Sequence, residues 1–156
     1  MSDLVMVVTG AIGTIGYALI FNVRARHIPF ATLGSIISCS VYLICMNFFD
    51  DLFLSNFLGA LAATAYSECC AIFLRAPASV FLIPSNIPLV PGGSLYYTMQ
   101  SLITSDREEF RQYGANTAYV ALGIATGIII GTVIFYTCKK MLTDIKAKRR
   151  NGQKQL

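Results

Sequence analysis

The sequence predicts an all-α integral membrane protein with five transmembrane helices, the fourth of them broken at a motif rich in proline and glycine. Of the 156 residues, 55% are hydrophobic and 13% are charged, whereas soluble domains carry about 25% charge. The mean hydropathy is +0.62. Five apolar stretches also reach the roughly 17–25 residues that a helix needs to cross a bilayer. These features argue against a soluble domain, a soluble enzyme and a disordered chain.

The five apolar stretches contain almost no charge. Segments of this length cannot be barrel strands, which are about ten residues long and alternate in polarity, so each is predicted to be a helix. We expect one transmembrane domain over residues 1–156 that ends in a basic cytoplasmic tail. The predicted spans are residues 4–21, 30–49, 52–74, 77–104 and 113–138, and the tail is residues 139–156.

Lysine and arginine set the predicted orientation. Arg24 and Arg26 lie in the first loop, Arg75 lies in the third, and seven more basic residues lie in the tail. Five crossings bring these ten of the 12 basic residues to one side, which the positive-inside rule assigns to the cytoplasm. We therefore expect a multi-pass protein of the cell membrane, inner or plasma, with its N-terminus outside. The tail is interpreted as an anchor on an anionic leaflet, and no nucleic-acid binding is expected.

The fourth span carries the motif Pro84-Ser-Asn-Ile-Pro88-Leu-Val-Pro91-Gly92-Gly93. Each interior proline removes a backbone hydrogen bond and costs a helix about 3 kcal/mol. We therefore expect two half-helices, residues 77–83 and 92–104, joined by extended chain near the middle of the span. The N–H groups of Gly92, Gly93 and Ser94 would then face the break and bind a carboxylate, as broken helices do in transporters. A kink that only shapes helix packing is the alternative.

Glu68 is the one carboxylate inside a predicted span. A charge at the bilayer centre costs about 2.5–3.5 kcal/mol on insertion scales, and Glu68 lies about 10 Å before Arg75 along the helix axis. Two interpretations stay open. Glu68 is either a protonatable group that couples transport to a proton gradient, or a structural group that pairs with a partner subunit or extends toward the cytoplasm. Thr64 precedes it by one helical turn and shares its face.

Small residues recur at helical spacing in three of the spans. Such patterns let helices approach closely, so we interpret them as packing seams rather than as binding sites. The seams are Gly59-Ala63-Ser67-Ala71, Gly123-Gly127-Gly131, and Gly10 with Gly13 and Gly16.

Few residues offer other chemistry. His27 is the lone histidine, and the five cysteines lack the close paired spacing of metal sites. The sequence contains no nucleophile-elbow or zinc-protease motif. We therefore expect no metal, no cofactor and no enzymatic activity.

The proline motif, followed by Tyr96 and Tyr97, resembles the signature of the threonine/serine exporter (ThrE) family. The chain length is similar to that of the short, YjjB-type subunit of its split form. The resemblance extends over roughly residues 17–104. Further matching segments are Phe21-Asn22-Val23, Leu33-Gly34-Ser35, and Glu68 followed by Arg75-Ala76-Pro77.

This resemblance implies a small membrane subunit of a secondary, proton-coupled exporter of small polar metabolites, such as threonine, serine or a dicarboxylate like succinate. It also implies a longer, YjjP-type partner subunit. The alternative is a structural subunit that assembles with a transport-competent partner and does not bind substrate. In the leading hypothesis Glu68 and Thr64 serve proton coupling. The candidate substrate-binding residues are Asn86, Pro88, Pro91, Gly92, Gly93, Ser94, Tyr96 and Tyr97.

Overall fold

The computed structural model describes the backbone of residues 2–152 and the side chains of residues 3–141. Within that part of the chain every regular element is helical, which confirms the all-α prediction. Four helices are long and apolar enough to cross a membrane, and the predicted fourth span is broken into two shorter helices. The helices are α1 (Ser2–Ile20), α2 (Ile28–Phe49), α3 (Leu52–Leu74), α4 (Ser79–Asn86), a 3-10 turn (Ile87–Leu89), α5 (Gly92–Thr104) and α6 (Arg107–Gly152).

Two aspartates join α2 and α3 into an antiparallel hairpin. Asp50 ends α2 in the left-handed conformation, with φ at 48°. Asp51 caps α3 by accepting a hydrogen bond from the backbone N–H of Leu54 at 3.0 Å, a contact that contributes about 1 kcal/mol. At the other end of the hairpin the Tyr66 hydroxyl donates to the carbonyl of Phe30 at 3.0 Å. The two helices therefore lie side by side over most of their length.

A glycine seam joins α3 to α6. A Cβ atom added at Gly123 would lie 2.7 Å from the carbonyl oxygen of Phe53, and one at Gly127 would lie 2.6 Å from that of Phe57. Only glycine permits so close an approach of the two backbones. Residue numbers rise together along the seam, so the two helices run parallel. This confirms the predicted seam, which Gly131 continues.

The other two predicted seams differ in outcome. Gly59 lies against α2, where an added Cβ would be 3.2 Å from the carbonyl oxygen of Ser38. A Cβ added at Gly10 would be 3.0 Å from the Cβ of Pro88. At Gly13 and Gly16 an added Cβ would meet none of the described atoms within 4 Å. The seam predicted in the first span is therefore confirmed at Gly10 alone.

The α3–α6 seam makes a stability prediction with a matched control. Gly127→Ala should destabilise the protein by about 1–3 kcal/mol, because the new Cβ collides with rigid backbone and overpacks the seam. Gly13→Ala should be neutral or slightly stabilising, because its Cβ meets open space and alanine favours the helix by about 0.5–1 kcal/mol. Thermal unfolding in detergent measures both variants. Equal unfolding temperatures for the two would contradict the packing described for α3 and α6.

The proline-rich segment stays helical for longer than the sequence predicts. The expected end at residue 83 is wrong, because α4 continues through Pro84 to Asn86 and the 3-10 turn extends to Leu89. Pro88 has no N–H to donate to the carbonyl of Pro84. That carbonyl accepts from the N–H of Ile87 instead. The buried hydroxyl of Thr14 on α1, which donates to the carbonyl of Gly10 at 2.9 Å, also lies 3.3 Å from it. The carbonyl that Pro88 leaves without its regular donor is thus satisfied within the segment and approached by a second donor on another helix.

The two ends of the bundle differ in charge. The first loop and the third loop meet at one end, where their residues line a common cavity. The α2–α3 turn lies at the opposite end. The first and third loops, which the predicted topology assigns to one side of the membrane, therefore lie together in the structure. That this side faces the cytoplasm stays a prediction. Of the loop residues with described side chains, Arg24, Arg26 and Arg75 lie at the first end, and Asp50 and Asp51 lie at the second.

The helix α6 begins well outside the bundle. Val120 lies at the level of Leu52, the first residue of α3, since both line one cavity. Residues 107–119 therefore extend about 20 Å past the start of α3.

The helix α5 runs antiparallel along this extension, and Tyr97 stacks on Tyr113 at a ring distance of 5.2 Å. The two halves of the predicted fourth span thus have different neighbours, because α4 packs against α2 and α3 whereas α5 packs mainly against α6. In the predicted tail, side chains from residue 142 onward lie outside the described residues.

Candidate functional site

A cavity of about 220 Å³ lies where the chain breaks between the 3-10 turn and α5. The break lies near the middle of residues 77–104, as the sequence predicts, and at the level of the first turn of α3. Five of the predicted substrate-binding residues line this cavity: Pro88, Pro91, Gly92, Gly93 and Ser94. Four other helices contribute Met6, Tyr42, Leu52, Asn56 and Val120.

The backbone of the break leaves two N–H groups unpaired. Pro91 has φ −77° and ψ 57°, which is an inverse γ-turn, and the N–H of Gly92 donates to the carbonyl of Val90 at 2.8 Å. The first helical bond of α5 runs from Leu95 to Pro91 at 2.9 Å. Among the described residues the N–H groups of Gly93 and Ser94 have no backbone acceptor. The sequence predicts three free N–H donors, but only those of Gly93 and Ser94 are free. Gly92 lines the cavity without offering a hydrogen bond to a ligand.

The two glycines of the break are not required by the fold. Both have negative φ, and a Cβ added at Gly92 or Gly93 would meet no described atom within 4 Å. Glycine is also used where a ligand or another chain must approach the backbone closely. The free N–H groups and the open space beside them together form a small anion-binding niche at the N-terminus of α5.

Asn56 is a residue of this cavity that the sequence reasoning missed. It is 2% exposed, and its Nδ2 donates to the carbonyl of Leu52 at 2.7 Å. An amide nitrogen carries two hydrogens, so one N–H of Asn56 stays available. The signal in the sequence is a carboxamide inside an apolar span, since polar groups at membrane depth are costly and mark functional positions.

Asn86 lies inside the bundle and does not line the cavity. Its Nδ2 donates to the carbonyl of Leu82 at 2.8 Å, whereas its Oδ1 is buried without a hydrogen-bond partner among the described residues. The interior around it is polar for a membrane protein. Other buried hydroxyls there without a described partner are those of Ser35, Ser38 and Ser55.

Tyr96 and Tyr97 lie further along α5 and do not line the cavity. Tyr96 is 64% exposed and Tyr97 is 49% exposed. Their rings contact each other at 5.5 Å, and Tyr97 also stacks on α6. The structure does not bring them to the niche with Gly93 and Ser94.

Glu68 and Thr64 lie on α3, toward the basic end of the bundle. The buried Thr64 hydroxyl donates to the carbonyl of Ala60 at 2.8 Å, and its Cγ2 packs against Gly131. Glu68 is half-buried and has no ion-pair or hydrogen-bond partner among the described residues. It lies just over three turns beyond Asn56, or about 18 Å along the axis. The proposed coupling group and the cavity are therefore separate places on one helix.

These features define a multi-pass helical membrane protein with a small polar cavity at a broken helix, an arrangement that secondary transporters use. The sequence matches the family model described as Threonine/Serine exporter, ThrE, over residues 6–134. The chain belongs to this family of exporters. No solved structure matches it.

Proposed function

We propose that this chain is the small membrane subunit of a secondary, proton-coupled exporter of small polar metabolites. The substrates would be threonine, serine or a dicarboxylate such as succinate, all of which carry a carboxylate. A longer, YjjP-type subunit would complete the exporter in the cell membrane. Membership of the exporter family supports transport as the general function.

The niche at the start of α5 is the observation that carries this proposal. The free N–H groups of Gly93 and Ser94 line the cavity together with the carboxamide of Asn56. Donors at a helix N-terminus favour an anion, and no carboxylate among the described side chains lines the cavity. Its volume of about 220 Å³ is below the roughly 300–1,000 Å³ of pockets for drug-sized ligands. It therefore suits a metabolite with few heavy atoms.

Proton coupling is assigned to Glu68. Its carboxylate is half-buried within an apolar helix and has no described partner, so gain or loss of a proton would change the charge inside the bundle without breaking an ion pair. The same helix reaches the cavity at Asn56. A shift of α3 along its glycine seam with α6 would then couple the two places.

A structural subunit is the second candidate function. The observation that favours it is the hairpin formed by α5 and the extension of α6, which stands outside the bundle of α1 to α4. Its apolar side chains are exposed, including Leu95 at 51%, Leu102 at 61% and Ile103 at 84%. Such a surface would attach the chain to a larger partner without contacting substrate.

Photocrosslinking separates the two candidates. A benzophenone amino acid is placed at Val90, which lies beside the cavity and is 59% exposed. In membranes that contain the whole exporter, it should crosslink this chain to radioactive substrate. Unlabelled substrate should compete for this labelling. The matched control is the same amino acid at Ile72, which is 52% exposed and lies at the other end of α3. Labelling at Val90 no stronger than at Ile72, in membranes that transport, would favour the structural subunit.

A further inference from the structure

A second cavity, of about 530 Å³, lies at the opposite end of the bundle. It forms where the loop between α1 and α2 meets the loop between α3 and α4. Three arginines line it, Arg24, Arg26 and Arg75, with Asn22 and His27 beside them. Neither the niche at α5 nor the coupling role of Glu68 uses these residues.

The cavity is cationic and lacks a built-in counterion. None of the three arginines forms an ion pair or hydrogen bond with the described residues, and no carboxylate among the described side chains lines the cavity. Guanidinium groups bind phosphate and carboxylate through paired hydrogen bonds in a fixed planar geometry. Three such groups around one concave surface fit a phosphate or carboxylate group.

Helix ends at this cavity add to the positive character. The helices α2 and α4 both begin here, and neither N-terminal residue, His27 or Ala78, supplies a side-chain cap. Pro29 has no N–H, and the N–H of Val80 already donates to the carbonyl of Pro77 at 3.1 Å. Ile28 and Ser79 keep a backbone N–H without a backbone acceptor among the described residues. The Nδ1 atom of His27 is also buried without a hydrogen-bond partner among the described residues.

Arg75 ends α3 as a left-handed C-cap, and its backbone N–H donates to the carbonyl of Ala71. It ends α3 with φ 50° and ψ 44°, a left-handed conformation in which glycine is the least strained residue. A side chain at this position carries a steric cost. This C-cap position brings the side chain of Arg75 to the cavity that Arg24 and Arg26 also line.

We propose that the basic cavity binds an anionic ligand through its phosphate or carboxylate oxygens, held by Arg24, Arg26 and Arg75. The ligand is either the headgroup of an anionic lipid or a soluble oxyanion. This site stands whether or not the niche at α5 binds substrate.

Thermal unfolding in nanodiscs tests the site with two kinds of probe. In one arm, inorganic phosphate or succinate is titrated at constant ionic strength into protein held in phosphatidylcholine. In the other arm, phosphatidylglycerol replaces part of the phosphatidylcholine. At least one arm should raise the unfolding temperature of the wild type, and that arm identifies the source of the oxyanion.

Three variants make this test specific. Arg75→Gly should fold, because glycine relieves the left-handed strain, yet bind about tenfold more weakly through the loss of a charge-assisted contact. The double variant Arg24→Gln/Arg26→Gln should bind more weakly still. Arg111→Gln removes one exposed charge outside the cavity and should respond as the wild type does. No stabilisation of the wild type in either arm, or equal responses from all variants, would overturn the site.

Discussion

Glu68→Gln is expected to abolish the pH dependence of export while leaving the exporter assembled. Glutamine keeps the size and polarity of the side chain but carries no titratable proton. A carboxylate within a span is costly to keep charged, and the amide keeps its hydrogen-bonding capacity. A structural charge pair with the partner subunit would instead be lost, together with assembly. Efflux of labelled substrate from cells, measured over a range of external pH, gives the result.

A matched control accompanies this variant. Glu109→Gln makes the same chemical change at an exposed position in the first turn of α6, and its efflux should follow the wild-type pH profile. Co-purification of each variant with its partner subunit reports assembly. If the Glu68→Gln exporter assembles and its efflux keeps the wild-type pH profile, the coupling role is wrong.

Gly92→Leu is expected to block substrate at the niche. Gly92 lines the cavity, and since its N–H already bonds to Val90, the effect of the new side chain is steric. Overfilling costs about 1–3 kcal/mol in packed sites, which corresponds to roughly a 5- to 150-fold loss of affinity. Uptake of labelled substrate into inverted membrane vesicles measures the loss.

The fold should tolerate this substitution. A Cβ at Gly92 meets no described atom within 4 Å, so the expression and unfolding temperature of Gly92→Leu should match those of the wild type. Gly13→Leu is the control, because Gly13 is equally open but lies on the outer face of α1. Uptake that stays unchanged in Gly92→Leu would show that the niche does not bind substrate.

Helix boundaries were predictable where local chemistry decides them. The predicted limits of α3 and α5, residues 52–74 and 92–104, agree with the structure. At the start of α3 an aspartate cap sets the limit, and at the start of α5 a proline in a tight turn does so. Both signals lie within a few residues of the helix end and can be read from the sequence.

Pro84 shows where local reasoning fails. In sequence it predicts the end of a helix, yet α4 continues through it to Asn86. Pro88 removes the regular donor to the carbonyl of Pro84, and that carbonyl is met by the N–H of Ile87 and by the hydroxyl of Thr14, 70 residues away. That partner exists only after α1 and α4 pack together. A penalty expected from an isolated helix is thus reduced by tertiary contact.

The composition of the niche was only partly predictable. Its backbone donors belong to one continuous motif, and the sequence therefore identified Gly93 and Ser94. Asn56 and Tyr42 join them because α2, α3 and α6 converge on the break. The parallel pairing of α3 with α6, which brings Val120 to the start of α3, joins residues distant in sequence and has no local signal.

The most direct test of the proposed function is substrate flux through the reconstituted exporter. Proteoliposomes would hold the longer partner alone, this chain alone, or both, and labelled threonine, serine and succinate would be followed under an imposed proton gradient. We expect flux of at least one of these metabolites only with both chains present, and collapse of that flux when the gradient is dissipated. If the partner alone carried all three metabolites as fast as both chains together, the proposal that this chain takes part in transport would be contradicted.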